Sequence, residues 1–143
     1  MQNHFLNLFL KMTLNMFNHI IDIFFIVFHT SLIFFNLFAW IWKKTRLLNL
    51  ITLLLTGTSW LFLGWIVGTP GYCPFTDWHF RILYKIGETN LPNSYIKYLA
   101  DRLTGLNISA SLADHVTLVA FLLALLLSVY FNFRDFVKLK RAG

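Results

Sequence analysis

The stretch 20–42, IIDIFFIVFHTSLIFFNLFAWIW, constrains the fold more than any other part of this sequence. At about 1.5 Å per helical residue, it is long enough to cross the roughly 30 Å hydrocarbon core of a bilayer. Asp22, His29 and Asn36 recur every seven residues within it, so they fall along one stripe of a helix. Because polar groups are costly in lipid, this stripe should face protein or trapped water. The pattern predicts a membrane bundle with a polar seam.

The composition agrees with a membrane protein and argues against a nucleic-acid-binding one. Hydrophobic residues make up 57% of the chain and charged residues 13%, and the mean hydropathy is +0.64, far from the usual balance of a soluble domain. The net charge of +6 reflects basic residues beside hydrophobic stretches, where they set topology. We therefore expect the lipid bilayer as a partner and no nucleic acid. The single cysteine, Cys73, excludes a disulfide within the chain.

We predict an all-α integral membrane protein that forms a single domain over 1–143. Its three transmembrane helices should lie at 20–42, 47–67 and 112–133, where the sequence is most apolar. The two connections differ sharply in length. A short basic turn joins the first two helices, and the long segment 68–111 joins the last two.

The second and third spans carry polar side chains that could meet the stripe of the first. Thr56 lies at the centre of 47–67 and Asp114 at the start of 112–133, while Gly57 and Gly64 mark a face that another helix could approach closely. Hydroxyls in membrane helices usually bond to backbone carbonyls, so helix packing is the favoured interpretation. We define the polar seam as Asp22, His29, Asn36, Thr56 and Asp114.

The segment 1–18 is apolar but has no small-residue cleavage site, which argues against a cleaved signal peptide. Joined to the first span, it would form a helix of about 60 Å, too long for one crossing. One interpretation is a short amphipathic helix on the membrane surface, with Phe5, Phe9 and Leu10 facing the lipid. The alternative is that translation begins at Met12 or Met16.

The segment 68–111 is too polar and too rich in helix-breaking residues to cross lipid, since it holds all three prolines of the chain. Two amphipathic helices fit within it, near 77–86 and 94–104. Thr76 should cap the first, with Asp77 favourable in its opening turn, and Gly105 should end the second. We expect both helices to lie on the membrane face and to cap the bundle.

Basic residues are concentrated at two places, which sets the expected orientation. Lys43, Lys44 and Arg46 follow the first span, and the tail 134–143 is basic, whereas those of 68–111 are widely spread. The positive-inside rule then places the first turn and the C-terminus in the cytoplasm. The N-terminus and the 68–111 loop should lie outside.

The outer end of such a bundle could gather several side chains that bind metals. Asp22, His79, Asp114 and His115 could meet there, with Cys73 nearby, and these are ligand types for zinc or another divalent metal. Their spacing matches no metal motif, so we assign no metal. The candidate residues on the outer face are Cys73, Thr76, Asp77, His79 and His115.

A haem or a proton relay is a further hypothesis for the histidines. His29 and His115 lie on different spans, but their depths should differ by about 10 Å, which suits two axial ligands of one iron poorly. Asp22, His29 and Asn36 could relay protons if water reached them, because His titrates near neutral pH. The favoured interpretation is that they join helices, through contacts of about 0.6–2 kcal/mol each. Haem and divalent metal remain the less favoured alternatives, and no cofactor is assigned.

Two motifs point to a family. His29 lies in VFHTSLIFFNLF, and GYCPFT occupies 71–76. The chain resembles a group of small bacterial inner-membrane proteins known only as a domain of unknown function, which has a His in its first span and a Gly-Trp or Gly-Tyr turn running into Cys-Pro-Leu-Thr. Phe75 replaces the usual Leu, and His79 replaces a frequent Glu. The resemblance extends over 20–133 and implies a fold and an inner-membrane location, but no activity.

Two functional classes are consistent with these features. The first is a non-enzymatic accessory or structural subunit, whose aromatic surface and outer loop bind a larger membrane complex or a second copy of the chain. The second is a small redox or metal-binding membrane enzyme that uses a buried seam of His and Asp. Because no motif marks a nucleophile or a metal site, the sequence favours the first class.

Overall fold

The protein is described by a computed structural model that covers residues 2–142, with side chains from His4 to Arg141. This part of the chain is helical and contains no strand. The helices are α1 (Gln2–Phe38), α2 (Arg46–Thr58), α3 (Gly64–Val67), α4 (Pro74–Lys85), α5 (Tyr95–Thr104) and α6 (Ala110–Ala142). A π-helical segment, Ser59–Leu63, joins α2 to α3 without a break.

Among the described residues, three segments are long and apolar enough to cross a membrane: His4–Phe38, Arg46–Val67 and Ala110–Arg141. The predicted all-helical fold with three membrane-length helices is therefore confirmed at this level. These segments expose most of their large apolar side chains. That surface is what a chain surrounded by lipid or by other membrane helices presents.

Helix α1 differs from the prediction at both ends. It is one uninterrupted helix of 37 residues, about 55 Å long, so the separate surface helix expected at 1–18 is wrong for the described residues. No Gly or Pro occurs between Gln2 and Phe38 to end it. Residues 4–17 are all exposed, whereas Met1 and the side chains of Gln2 and Asn3 lie outside the described part.

The C-terminal end of α1 is set by a compact turn rather than by residue 42. Helix α1 stops at Phe38, and the hydroxyl of Thr45 donates to the carbonyl oxygen of Ala39 at 2.6 Å. The indole of Trp40 donates to the carbonyl oxygen of Leu37 at 2.7 Å. These bonds close the turn and bring α2 back alongside α1.

Glycines allow the second membrane-length segment to pack closely. A Cβ at Gly57 would lie 3.2 Å from the ring of Phe121 on α6, and a Cβ at Gly64 would lie 2.9 Å from the carbonyl oxygen of Thr69. Gly57 thus faces a helix, whereas Gly64 faces the chain as it turns back after α3. The hydroxyl of Ser59 donates to the carbonyl oxygen of Tyr72 at 3.0 Å and fastens the same turn.

Helices α1, α2 and α5 all pack against α6. It spans Ala110–Ala142, so the basic tail is part of the helix rather than a separate segment after residue 133. No Gly or Pro interrupts this stretch before Gly143.

Helices α4 and α5 close one end of the bundle, with α4 on α1 and α5 on α6. The cap of α4 is Cys73 and not Thr76, because Pro74 occupies the first helical position, where its fixed φ is favourable. The Thr76 hydroxyl instead donates back to the carbonyl oxygen of Cys73 at 2.7 Å. The hydroxyl of Ser94 caps α5 by accepting from the backbone of Lys97, and Gly105 ends the helix at a φ of 72°.

Candidate functional site

Asp22 on α1 lies at the centre of a buried polar group that connects three helices. Its side chain is 2% exposed and accepts hydrogen bonds at both oxygens. One oxygen is 2.7 Å from Nε2 of His79 on α4. The Arg102 guanidinium on α5 adds two bonds, of 3.1 Å and 2.7 Å, in a fork that matches a carboxylate. We call Asp22, His79, Tyr95 and Arg102 the Asp22 cluster.

The imidazole of His79 is fully buried between two polar partners. Its Nδ1 is 2.7 Å from the hydroxyl of Tyr95, and its ring stacks on Phe25 with centroids 5.2 Å apart. Because a carboxylate can only accept, Nε2 carries the proton towards Asp22, and Nδ1 accepts from Tyr95.

Burial lowers the pKa of His79, although the bond to Asp22 opposes this. Burial also raises the pKa of Tyr95, so the phenol stays protonated. The resulting cluster pairs one anion with one cation.

Arg102 completes the cluster from the stripe of α5 that also carries Tyr95 and Tyr98. The spacing of these residues, three and four apart, places them on one side of the helix. Arg102 also contacts the hydroxyl of Tyr98. Its side chain is 37% exposed, so the guanidinium lies at the edge of the bundle and the carboxylate inside it. The cluster therefore reaches from the surface to the buried face of α1.

His29 lies two turns further along α1 and is 8% exposed. Its ring packs against that of Tyr95, with centroids 4.6 Å apart. Its Nδ1 is buried and has no hydrogen-bond partner within the described residues. Successive members of the Asp22, His29 and Asn36 stripe are separated by about 10 Å along the helix. The side chains of Asp22 and Asn36 bond to other helices, and no hydrogen bond joins two members of the stripe within the described residues.

Asn36 belongs to a second polar group, which joins α1 to α2. Its Oδ1 accepts from the Thr52 hydroxyl at 2.7 Å, and its Nδ2 donates to the Thr56 hydroxyl at 3.3 Å. Asn49, which is fully buried, donates to the carbonyl oxygens of Phe35 and Asn36. We call Asn36, Asn49, Thr52 and Thr56 the Asn36 cluster. These bonds join α1 to α2, and the side-chain oxygen of Asn49 is left buried without a partner among the described residues.

The remaining candidates do not join either cluster. Asp114 is exposed and accepts from the Ser94 hydroxyl at 2.5 Å, which fastens the start of α5 to α6. His115 is exposed and bonds back to the carbonyl oxygen of Ser111 at 2.6 Å. Asp77 forms a surface ion pair with Arg81 at 3.0 Å. Cys73 is a half-buried free thiol at the cap of α4.

The sequence predicted that Asp22, His79, Asp114 and His115 would meet at one end of the bundle, with Cys73 nearby. This prediction is wrong except for the contact between Asp22 and His79. Only Asp22 and His79 are brought into contact, because Asp114 is held by Ser94 and His115 by its own helix. The described residues contain no group of three His, Cys, Asp or Glu side chains that could hold a metal ion. The arrangement can bind charge and hold helices together, but it offers no metal-ligand set.

Sequence reasoning missed Tyr95, Arg102 and Asn49. Tyr95 and Arg102 carried a usable signal, since an Arg seven residues after a Tyr lies on the same side of α5 as its apolar residues. A charged side chain on an apolar face requires a buried partner, and Asp22 was the unpaired acid of the first span. Asn49 carried no comparable signal, because it lies near the basic turn where polar residues are common.

A family model described as "Protein of Unknown function (DUF2784)" matches residues 19–133. The matched region includes both clusters and excludes residues 4–17, the exposed N-terminal part of α1. No curated protein and no solved structure matches the chain.

Proposed function

The chain belongs to the DUF2784 family, and from its polar contacts we propose that it is a non-enzymatic accessory or structural subunit of a larger membrane assembly. The observation that carries this proposal is the state of Asp22. Both of its carboxylate oxygens are used by His79 and Arg102, so the acid best suited to chemistry joins α1, α4 and α5 instead. A carboxylate held in this way is a structural element of the bundle.

The outer surface of the bundle supports the same proposal. Leu61, Trp65 and Ile66 are 73%, 84% and 79% exposed on the second membrane-length segment, near its junction with the loop. Aromatic and aliphatic side chains of this kind pack against other membrane helices or lipid. The chain therefore presents a broad apolar surface for another subunit or for a second copy of itself.

Purification from native membranes in a mild detergent, followed by native mass spectrometry, tests this proposal. We expect the tagged 16.8 kDa chain to elute with a second polypeptide, or a second copy, in fixed stoichiometry. Trp65→Ser should release it without lowering the amount of chain in the membrane. Tyr130→Ser, which changes an exposed residue on α6, is the matched control. A chain that elutes only as a monomer at every detergent concentration contradicts the proposal.

We propose the bacterial inner membrane as the location, with the N-terminus and the 68–111 loop outside and the C-terminus in the cytoplasm. The density of basic residues around Lys43, Lys44 and the end of α6 supports this orientation. In a Cys73→Ser background, an impermeant maleimide should label Glu88→Cys in intact cells and Lys44→Cys only after lysis. Labelling of Lys44→Cys in intact cells, and of Glu88→Cys only after lysis, would show that the chain has the opposite orientation.

One observation favours the alternative, a small redox or metal-binding membrane enzyme. The Nδ1 of His29 is buried and unpaired within the described residues, so it is the seam nitrogen with capacity for a ligand. Absorbance spectra and metal analysis of the purified chain distinguish the two functions. A Soret band or stoichiometric metal that disappears in His29→Ala supports the enzyme, and a featureless spectrum without metal opposes it.

A further inference from the structure

The end of the bundle that holds the α1–α2 turn carries a basic surface with no free acid among the described residues. Arg46 forms an ion pair with Asp135 of α6 at 2.6 Å, and Arg134 lies 3.7 Å from the same carboxylate. Asp135 is therefore already neutralised. The exposed cations left at this end are Lys43, Lys44, Lys138, Lys140 and Arg141.

An apolar groove runs along the end of α1 and the turn after it, and its last lining residues, Trp42 and Thr45, flank Lys43 and Lys44 in the sequence. It begins at Thr30, passes Phe34 and Phe38, and ends at Trp42 and Thr45. The three aromatic side chains are between 46% and 60% exposed. The lining also includes Ala39, which is buried.

The length of this groove corresponds to one leaflet of a bilayer. From Thr30 to Phe38, the last residue of α1, the helix rises about 12 Å, and half of a 30 Å hydrocarbon core is about 15 Å. With Thr30 at the middle of the bilayer, Trp42 would lie where the hydrocarbon meets the headgroups, which is the depth that Trp side chains prefer. Lys43 and Lys44 would then follow at the depth of the phosphates.

We propose that this groove binds one anionic phospholipid, with an acyl chain along Phe34 and Phe38 and the phosphate against Lys43 and Lys44. The positive charge of Lys43 and Lys44 favours an anionic lipid over a zwitterionic one. A zwitterionic headgroup carries no net charge, whereas an anionic one compensates cations whose one neighbouring acid in the described part of the chain is paired with Arg46. A helix of a partner subunit would fill the groove but would leave the lysines without a counter-charge. This site is independent of whether the chain joins a complex.

The test is a lipid titration of the delipidated full chain, followed by native mass spectrometry. Phosphatidylglycerol and phosphatidylcholine with the same acyl chains are the probes. We expect the wild-type chain to bind phosphatidylglycerol more tightly. Lys43→Gln with Lys44→Gln should weaken that binding about fivefold for each lysine and leave phosphatidylcholine binding unchanged. Lys85→Gln, an exposed lysine on α4, is the control and should change neither.

A second variant tests the groove separately from the charge. Ser31 is exposed and lines the groove, so Ser31→Trp should fill it and weaken the binding of both lipids. Equal affinity of the wild type for the two lipids would overturn the proposal. So would unchanged binding in the double lysine variant, or efficient dimer cross-linking through Phe34→Cys that added phosphatidylglycerol does not reduce.

Discussion

At the scale of single residues, Asp22 is stabilised by partners that come from two other helices. The carboxylate is buried, and Arg102 supplies the compensating charge from the surface. His79 adds a hydrogen bond while remaining neutral, because burial lowers its pKa. The cluster therefore brings one charge pair, rather than a lone charge, into the bundle.

Asp22→Asn should destabilise the bundle because it leaves Arg102 without its counter-charge. Breaking a fully buried pair costs about 3–5 kcal/mol, but Arg102 is partly exposed and screened, so we expect about 2 kcal/mol. Thermal unfolding in detergent measures the effect. Arg81→Ala, which breaks the exposed pair with Asp77, should leave the melting temperature nearly unchanged. Equal effects of the two variants would refute a structural role for Asp22.

The pKa of His79 predicts a pH dependence of stability. The folded state lowers this pKa from 6.5, so the unfolded chain binds more protons than the folded one below about pH 6.5. Stability should therefore be complete above that pH and decrease as the pH falls. The melting temperature of His79→Gln should depend less on pH than that of the wild type between pH 7 and pH 5. If acid stabilises the wild type, the imidazole is a cation in the folded state.

At the scale of helices, the packing depends on small residues at turns as much as on polar contacts. Gly57 accepts Phe121 of α6 against its surface, and Gly64 accepts the backbone after α3. The Asn36 cluster then fixes the register of α1 against α2. The basic turn is held to α6 by Arg46 and Asp135.

Gly64→Ala should be more damaging than Gly57→Ala. The added Cβ at Gly64 would meet a backbone oxygen at 2.9 Å, which cannot move without the turn, whereas the ring of Phe121 can shift. We expect a loss of about 1–3 kcal/mol for Gly64→Ala, as for other overpacked sites, and less for Gly57→Ala. Melting temperatures of the two variants in the same detergent provide the comparison. A larger effect at Gly57 would contradict this account.

At the scale of the whole molecule, the bundle is joined at both ends and has an exposed apolar perimeter. The Asp22 cluster fastens α4 and α5 over one end, and the Arg46–Asp135 pair closes the other. The first part of α1 does not pack against the rest of the bundle, since residues 4–17 are exposed throughout. Stability of the isolated chain should therefore reside in the region from Asn18 onward.

Deletion of residues 2–15 should leave the melting temperature of the purified chain unchanged. The described side chains in that segment are all exposed, and the first buried residue of α1 is Asn18. Deletion of residues 2–22 is the contrasting variant, because it removes Asp22 and should lower the melting temperature clearly. A large effect of the shorter deletion would show that this segment packs against the bundle or against another copy.

Much of the architecture could be predicted from the sequence, because hydrophobicity over about twenty residues determines which segments suit a membrane. The all-helical fold and its three membrane-length helices follow from that rule. The ends of the helices were predicted less well. Helix α1 ends at Phe38 because Thr45 and Trp40 close a turn, and those hydrogen bonds leave little trace in hydropathy.

By itself, the sequence determined the three apolar segments and the polar stripe of Asp22, His29 and Asn36, since both are periodic and local. Only the tertiary structure decided which partners that stripe meets. Arg102 reaches Asp22 across 80 positions of the chain, and His79 reaches it across 57. Such pairings depend on how α4 and α5 fold back over α1 and α6. The energy of a buried ion depends on the groups within a few ångströms in space, and neighbours along the chain do not reveal them.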